Sequence, residues 1–344
     1  MGQVVTFEGP RRVGIREYEE RPLQPGELRL RTLYSGISAG TELTAYRGSN
    51  PYLSKRWDPD RGLFLEGEVS LHHPIEGWGY EEVGEVAEVG SEVSLVRPGD
   101  VIYGTWGHKS TTVVQETWAA QRRLRAGVDP MIGIFSRIAA IALNAVLDAD
   151  VHVGEYVAVF GQGVPGLIAG QLVRLNGGTV IVVDGIPKRL QLARELGAAH
   201  AIDFTAQRPA EEIKALTENR GADVSIEISG SYRALHEAIR STAYNSKVVS
   251  SGFYQGEGLG LSLGEEFHHN RINVVSSQIF GVSLALDHRW SVERLERTVM
   301  ALAAEEEIGL KPLVTHVFGV EEAGEAFRLL DEDPSEAVQV VLEF

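Results

Sequence analysis

The chain contains no cysteine. That absence removes disulfides, thiolate nucleophiles and thiolate-bound zinc from the chemistry open to it. Any metal would have to be held by His, Asp or Glu. Basic residues are also scarce: 32 Lys and Arg against 48 Asp and Glu leave a formal charge of −16. A nucleic-acid surface needs clustered Lys and Arg, so the balance argues against such a partner. No apolar run reads as approaching the ~18 residues of a membrane span. The first residues lack the basic start and long apolar stretch of a secretory signal. Met1-Gly2 with Thr6 formally fits an acylation pattern, yet this stretch reads as a strand. A cytoplasmic protein with no membrane partner is expected. With 344 residues, 43% hydrophobic and 23% charged, the chain can build two domains, each with its own core.

What is present is sharpest at Gly161-Gln162-Gly163-Val164-Pro165-Gly166. This run follows the apolar stretch 156–160 and opens a helix-like segment, 167–175. A strand, a tight glycine turn and a helix N-terminus form an anion site, where backbone N–H groups and the helix dipole meet a pyrophosphate. Gly161 makes the turn, Gly163 lets the phosphates approach, and Gly166 lets helix pack on strand. A second apolar run, 179–183, stops at Asp184, 23 positions after Gly161 (184 − 161). A carboxylate there accepts from an adenosine ribose. It repels a 2′-phosphate, so NAD is expected over NADP, although Lys188 and Arg189 lie close enough to receive a phosphate. Val164, Arg189, Ser229 and Gly252 complete the expected cofactor contacts.

The first 125 or so residues are short strand-like runs broken by turns. Residues 27–34 alternate as a half-buried strand should, and Pro98-Gly99-Asp100 turns into 101–103. After Asp129-Pro130 the character changes. Residues 132–147 read as an apolar helix, and strands and helices then alternate. Strands are expected at 157–160, 179–183, 201–203, 224–228, 247–251 and 272–276, with helices at 166–175, 187–196, 210–217 and 232–243. That rhythm means βαβ units, here a doubly wound parallel sheet of six strands, a Rossmann domain of α/β class. The tail mixes a helix at 292–304, a strand at 314–318, a helix at 321–330 and a strand at 337–342. The boundaries expected are 1–125 for a β-rich domain completed by 290–344, and 126–289 for the dinucleotide-binding domain.

A β-rich start, a central Rossmann domain and a returning tail resemble the medium-chain dehydrogenase/reductase family. The resemblance rests on Ser35-Gly36-Ile37-Ser38-Ala39-Gly40-Thr41-Glu42, on Gly79-Tyr80-Glu81 followed by Val83-Gly84, on Pro98-Gly99-Asp100-Val101, and on the glycine turn. It implies a GroES-like catalytic domain. In zinc alcohol dehydrogenases the first motif looks like Cys-Gly-Ile-Cys-Gly-Ser/Thr-Asp and the second like Gly-His-Glu. Here Ser35 is read at the position of the first zinc-binding Cys and Tyr80 at that of the His. The third ligand position falls near Arg137, and the stretch 100–111 leaves no room for a four-cysteine structural zinc lobe. The motifs are most similar to the zinc-free branch of the bacteriochlorophyllide hydroxyethyl dehydrogenases, which implies NAD-dependent oxidation of a secondary alcohol without zinc.

Hydride transfer to a nicotinamide needs the alcohol proton removed and the developing alkoxide stabilised. Without a metal, Ser35, Glu42, Tyr80, Glu81 and His108 are the candidates for those tasks. Ser35 and Tyr80 can hydrogen-bond a substrate oxygen. Glu42 and Glu81 can orient a donor or act as base if desolvated. His108, on a glycine-bearing loop, titrates near neutrality. Against each stands a plainer structural reading: filled space, a carboxylate receiving backbone N–H groups, an exposed loop histidine. Tyr46, Tyr52 and Trp78 can wall an apolar substrate site or belong to the core. His268-His269 is expected to bind no metal, since neighbouring side chains rarely converge on one ion. The expected partner is a small alcohol or ketone, with hydride passing between the domains at the carboxyl ends of the sheet strands. The rivals are a zinc-free NADPH-dependent quinone or enone reductase, and a non-catalytic nucleotide-binding relative. The apolar run 272–276 invites pairing across a two-fold axis, so a homodimer is expected and sedimentation would test it.

Overall fold

The computed structural model describes residues 1–344, and they divide into two compact units: Met1–Arg137 with Leu310–Phe344, and Ile138–Gly309.

The first unit is built on the eleven-residue strand Glu27–Ile37. Its alternation is the reason for its conformation: Leu28, Leu30 and Thr32 are fully buried, while Arg29 and Arg31 face outward to Glu88 and Glu85. Around it the sheet runs in the order Val314–Gly319, Gln339–Glu343, Glu27–Ile37, Glu82–Val89, Val101–Gly104, with Thr111–Gln115 also pairing on the long strand. The chain's last strand therefore closes on its third, with Val340 opposite Ile37 and Leu342 opposite Ser35. A smaller antiparallel sheet joins Gly2–Gly9 to Arg12–Tyr18 and Ile75–Glu76. Phe7, Tyr46 and Phe327 bind these layers together. Phe327 meets Phe7 edge-on at 5.0 Å and stacks on Tyr46 at 5.6 Å. Tyr46 is thus a core residue and forms no substrate wall. Trp78 also packs against that core, and Tyr52 lies beside Phe64 at 5.3 Å.

The second unit is the expected parallel sheet. Its strand order is His200–Asp203, Thr179–Asp184, Tyr156–Phe160, Ala222–Glu227, Thr242–Ser250, Asn273–Ser276. Every pair is parallel. Central strands such as Tyr156–Phe160 are apolar on both faces, because helices cover both. The outermost strand, Asn273–Ser276, is exposed along its whole length, including Val274 and Val275. The order reverses between Tyr156–Phe160 and Ala222–Glu227, and ligands of such sheets bind at that switch point.

Three expectations are corrected by the packing. The units part at 137/138 and 309/310 instead of 125/126 and 289/290. The turn Pro130–Phe135 packs on strands Glu27–Ile37 and Glu82–Val89 and so belongs to the first unit. At the other boundary, Gly309 exchanges hydrogen bonds with Gln171 (2.7 and 3.2 Å), which ties the helix Val292–Ala304 and the turn after it to the second unit. Finally, Pro130–Ala149 forms one continuous helical stretch of 20 residues, long and apolar enough to cross a membrane, yet 67% of its apolar 18-residue window is buried in protein. The embedded Arg137 and Asp148 hid its length in the sequence, and burial against protein explains its apolarity.

Candidate functional site

The glycine turn builds the cradle in the second unit. Gly161 has φ +94°, a left-handed conformation that favours glycine, and a Cβ there would lie 2.6 Å from Ser229 Cβ. A Cβ on Gly166 would lie 1.8 Å from the Gly161 carbonyl oxygen, so helix and turn touch backbone to backbone. Gly163 differs: the nearest atom to a Cβ there is Pro165 Cδ at 3.9 Å. The space in front of it is open, and Gly163 is the N-cap of helix Val164–Leu175, whose first N–H groups carry no side-chain cap. Beside this turn lies a cavity of about 790 Å³, lined by Gly161, Asp184, Phe204, Ser229 and Arg233 among others. That volume suits a nucleoside-sized ligand.

Asp184 forms the edge of that cavity and is buried. Its carboxylate already accepts three backbone N–H groups, from Gln162 (2.6 Å), Gly185 (2.8 Å) and Ile186 (2.9 Å). Two carboxylate oxygens offer about four acceptor sites, so the group can still accept from a ribose hydroxyl, while its negative charge repels a phosphate. Burial holds the half-buried Arg189 below its ordinary value, against the opposing pull of Asp184. Gly252 sits where a Cβ would lie 2.2 Å from the Gly230 amide, and Ser229 donates its N–H (2.8 Å) to Glu227. Glu227 escaped the sequence reading. It is buried at the end of its strand, also accepts from Tyr254 and from the Gly230 amide (3.3 Å), and joins the two loops beside the switch point. A lone carboxylate between Ile226 and Ile228 was its sequence signal.

In the first unit the structure gathers all five catalytic candidates, in two layers. Tyr80 pairs with Ser38 in a very short hydroxyl–hydroxyl contact, with Thr41 Oγ1 3.5 Å away. Ser38, and not Ser35, is the partner of Tyr80. Ser35 lies within the strand Glu27–Ile37 and Ser38 just past its end, before helix Glu42–Arg47, a distinction the motif spacing alone did not make. Ser35 points inward, where its Oγ lies 2.6 Å from His108 Nδ1 and 3.2 Å from Glu82 Oε1. His108 is no exposed loop residue: it is fully buried, and its Nε2 lies 2.6 Å from Glu42 Oε2. Glu42 also accepts the Ser38 amide (2.9 Å), and Glu82 accepts the amides of Glu81 (3.1 Å) and Trp106 (2.6 Å). Glu82 was missed because one acidic residue in the Glu81-Glu82 pair looked sufficient for the motif.

The electrostatics follow from burying three carboxylates around one imidazole. Burial, with Glu42 and Glu82 close by, pushes Glu81 well above the usual carboxylate range, and Gln339 opposes this only partly. Glu81 Oε2 has no hydrogen-bond partner, and Gly36 leaves room for it, since a Cβ there would lie 2.6 Å away. Burial likewise raises Glu82, against the pull of His108. For His108, burial alone would lower the value, but the charge and hydrogen bond of Glu42, joined by Glu82, carry it above 6.5. Burial and the Glu81 charge raise the Tyr80 phenol far beyond an ordinary tyrosine, so it stays protonated.

A folded state that holds protons more tightly than the unfolded chain loses stability as pH rises. The contribution of Glu81 is complete below its unfolded value of about 4.5 and fades as pH climbs toward the raised folded value. Glu81→Gln is therefore expected to leave stability unchanged near pH 5 and to raise it by about 1–3 kcal/mol near pH 8, the usual cost of an unsatisfied buried polar group. Urea midpoints at the two pH values check this, and equal loss of stability at both would contradict it.

The cluster does not suit a metal. Ser35, read at a zinc-ligand position, is engaged with His108 and Glu82, Ser38 and Tyr80 offer neutral hydroxyls to each other, and both ring nitrogens of His108 are engaged. Zinc prefers thiolate, imidazole and carboxylate. Elsewhere, His268 and His269 face each other edge-on at 5.5 Å. His236, Glu265 and Glu266 bring three ligand-type atoms within 4.8 Å of one another, but Glu266 is paired with Arg240 at 3.2 Å, a guanidinium that opposes a cation there.

Residues 165–296 match the family model described as "Zinc-binding dehydrogenase". Over the whole chain the protein is similar to D-guloside 3-dehydrogenase of Escherichia coli, 29% identical over 343 residues, covering 97% of this chain and 98% of that one. Its fold matches 2R,3R-butanediol dehydrogenase of Bacillus subtilis (TM-score 0.79, 22% identity, 100% of both chains). It also matches a dehydrogenase of Sinorhizobium meliloti bound to NADP (TM-score 0.78, 22% identity, 100% and 99% of the chains).

Proposed function

We propose that this chain, which belongs to the zinc-binding-type medium-chain alcohol dehydrogenase family and is an oxidoreductase, works without zinc. In this reading it uses NAD to interconvert a secondary alcohol and a ketone. The observation that carries this is the Ser38–Tyr80 hydroxyl pair, in which Tyr80 is the residue read at the position of the family's zinc-binding His. A polyol or glycoside hydroxyl is the substrate class suggested by the relatives, named as guloside and sorbitol dehydrogenases.

Gly161, Gly163, Val164 and Gly166 would hold the pyrophosphate, Asp184 and Arg189 the adenosine ribose, and Ser229 and Gly252 the far end of the dinucleotide. When bound, the nicotinamide supplies or accepts the hydride. Tyr80 and Ser38 then hold the substrate oxygen by hydrogen bonds. Because burial keeps the phenol protonated, Tyr80 suits the task of giving its proton to the alkoxide that forms as a ketone is reduced. A secondary alkoxide is the stronger base, so that transfer runs downhill. In the reverse direction the same step runs backward: Tyr80, as the phenolate left by that transfer and hydrogen-bonded by Ser38, takes the alcohol proton as the hydride leaves. Burial disfavours the charged form of Glu81, which lessens negative charge beside the developing oxyanion.

Titration calorimetry with NADH and NADPH, with metal analysis of the same sample, tests the reading. NADH binding at least about tenfold tighter than NADPH, the sense set by Asp184, is expected, with zinc well below one per chain. Stoichiometric zinc would overturn the metal-free chemistry. Tighter NADPH binding would favour an enone reductase, and no binding of either a non-catalytic protein.

A further inference from the structure

Ser38 and Tyr80 sit on segments 42 positions apart (80 − 38), and no covalent bond fixes one against the other. A buried polar chain runs between their backbones instead. Glu42 holds the Ser38 amide with Oε1 (2.9 Å) and meets His108 Nε2 with Oε2 (2.6 Å). His108 Nδ1 meets Ser35 Oγ (2.6 Å), Ser35 donates to Glu82 Oε1 (3.2 Å), and that oxygen accepts the Glu81 amide (3.1 Å). Ser35, Glu42, Glu82 and His108 are all fully shielded from solvent.

We propose that Glu42–His108–Ser35–Glu82 is a metal-free crosslink that fixes Ser38 against Tyr80, with His108 as its central positioning residue. This rests on the reading of Ser38 and Tyr80 as donors to the substrate oxygen. Neither residue is a suitable metal ligand, and the chain ties their segments through the amides of Ser38 and Glu81. Imidazole suits the centre because its two ring nitrogens lie on opposite sides and each takes one partner. Its neighbours are cut to its shape. The Phe327 ring meets it edge-on at 5.9 Å, and a Cβ on Gly79 would lie 2.9 Å from its Cε1. With both nitrogens engaged, His108 acts on substrate only through what it holds in place.

Amide hydrogen exchange by mass spectrometry on the full chain tests the crosslink without a known substrate. His108→Ala is expected to raise exchange in peptides covering 35–42 and 79–83 by roughly tenfold or more, while 156–252 stays protected. His108→Gln, whose amide N–H can donate to Glu42 but whose oxygen cannot donate to Ser35, should restore protection at 35–42 more than at 79–83. Ser35→Ala cuts the chain with the ring in place and should open the same two peptides, which keeps the test decisive if His108→Ala does not fold. Faster exchange confined to 104–110 in His108→Ala, or unchanged exchange at 35–42 and 79–83 in Ser35→Ala, would overturn the proposal. Turnover does not enter this measurement, so failure of the oxidoreductase reading and failure of the crosslink are separately visible. Once a substrate is in hand, His108→Ala should lower kcat with NADH affinity intact, and His108→Gln should recover part of it.

Discussion

Tyr80→Phe is expected to lower kcat by roughly 10²–10⁴-fold, the range for loss of a positioned proton donor, and to leave NADH affinity unchanged. The two effects separate because the phenol lies in the first unit, whereas the cradle residues 161–252 lie in the second. The ring remains to fill its space, and Ser38 loses one partner, so stability should change by no more than about 1 kcal/mol. Ser38→Ala should cost less activity than Tyr80→Phe, because it removes the neighbour and keeps the acid. Steady-state kinetics on a panel of polyols and glycosides, with calorimetry for NADH, would measure both. A kcat for Tyr80→Phe within about threefold of the parent, where proton donors normally contribute far more, would remove Tyr80 from the chemistry. The mechanism would then have to be rebuilt around another donor.

The glycine turn gives the second large effect, and there the fold and the binding function can be pulled apart. Gly166→Ala would place a methyl 1.8 Å from the Gly161 carbonyl oxygen, a backbone atom that cannot swing away. The turn must move. The expected result is an overpacking cost of about 1–3 kcal/mol together with loss of detectable NADH binding. Gly163→Ala meets nothing closer than 3.9 Å and has an ordinary backbone conformation, with φ −72°. Its melting temperature should match the parent, while its methyl protrudes into the space that a pyrophosphate needs. NADH affinity should therefore fall at least about tenfold, the cost of roughly 1.4 kcal/mol of lost contact. Parent-like affinity in Gly163→Ala would mean that the phosphates do not approach there.

The parallel sheet was legible because its signals are local. Apolar runs of five or six residues ended by Gly161 and Asp184 can be read without knowing what they touch, and the observed strands Tyr156–Phe160 and Thr179–Asp184 lie where the runs do. The limits of the units were not legible. They depend on pairings such as Gly309 with Gln171, 138 positions apart (309 − 171), for which neither residue carries a local mark. The tail's return was legible only through family resemblance. Its cause, the pairing of Val340 with Ile37, is again long-range.

The candidate site divides in the same way. The sequence by itself determined the glycine turn and the carboxylate beside it, because Gly161, Gly163, Gly166 and Asp184 act through their own backbone geometry and charge, which neighbours in the chain specify. It also determined that no thiolate could hold a metal. Only the tertiary structure decided that Ser38 and not Ser35 meets Tyr80, that His108 is buried, and that Glu82 belongs to the same network. Motif spacing identifies which residues share a turn but not which side of the turn each hydroxyl faces. That is set by packing against Trp106–His108 and Phe327, segments whose arrival no local pattern announces.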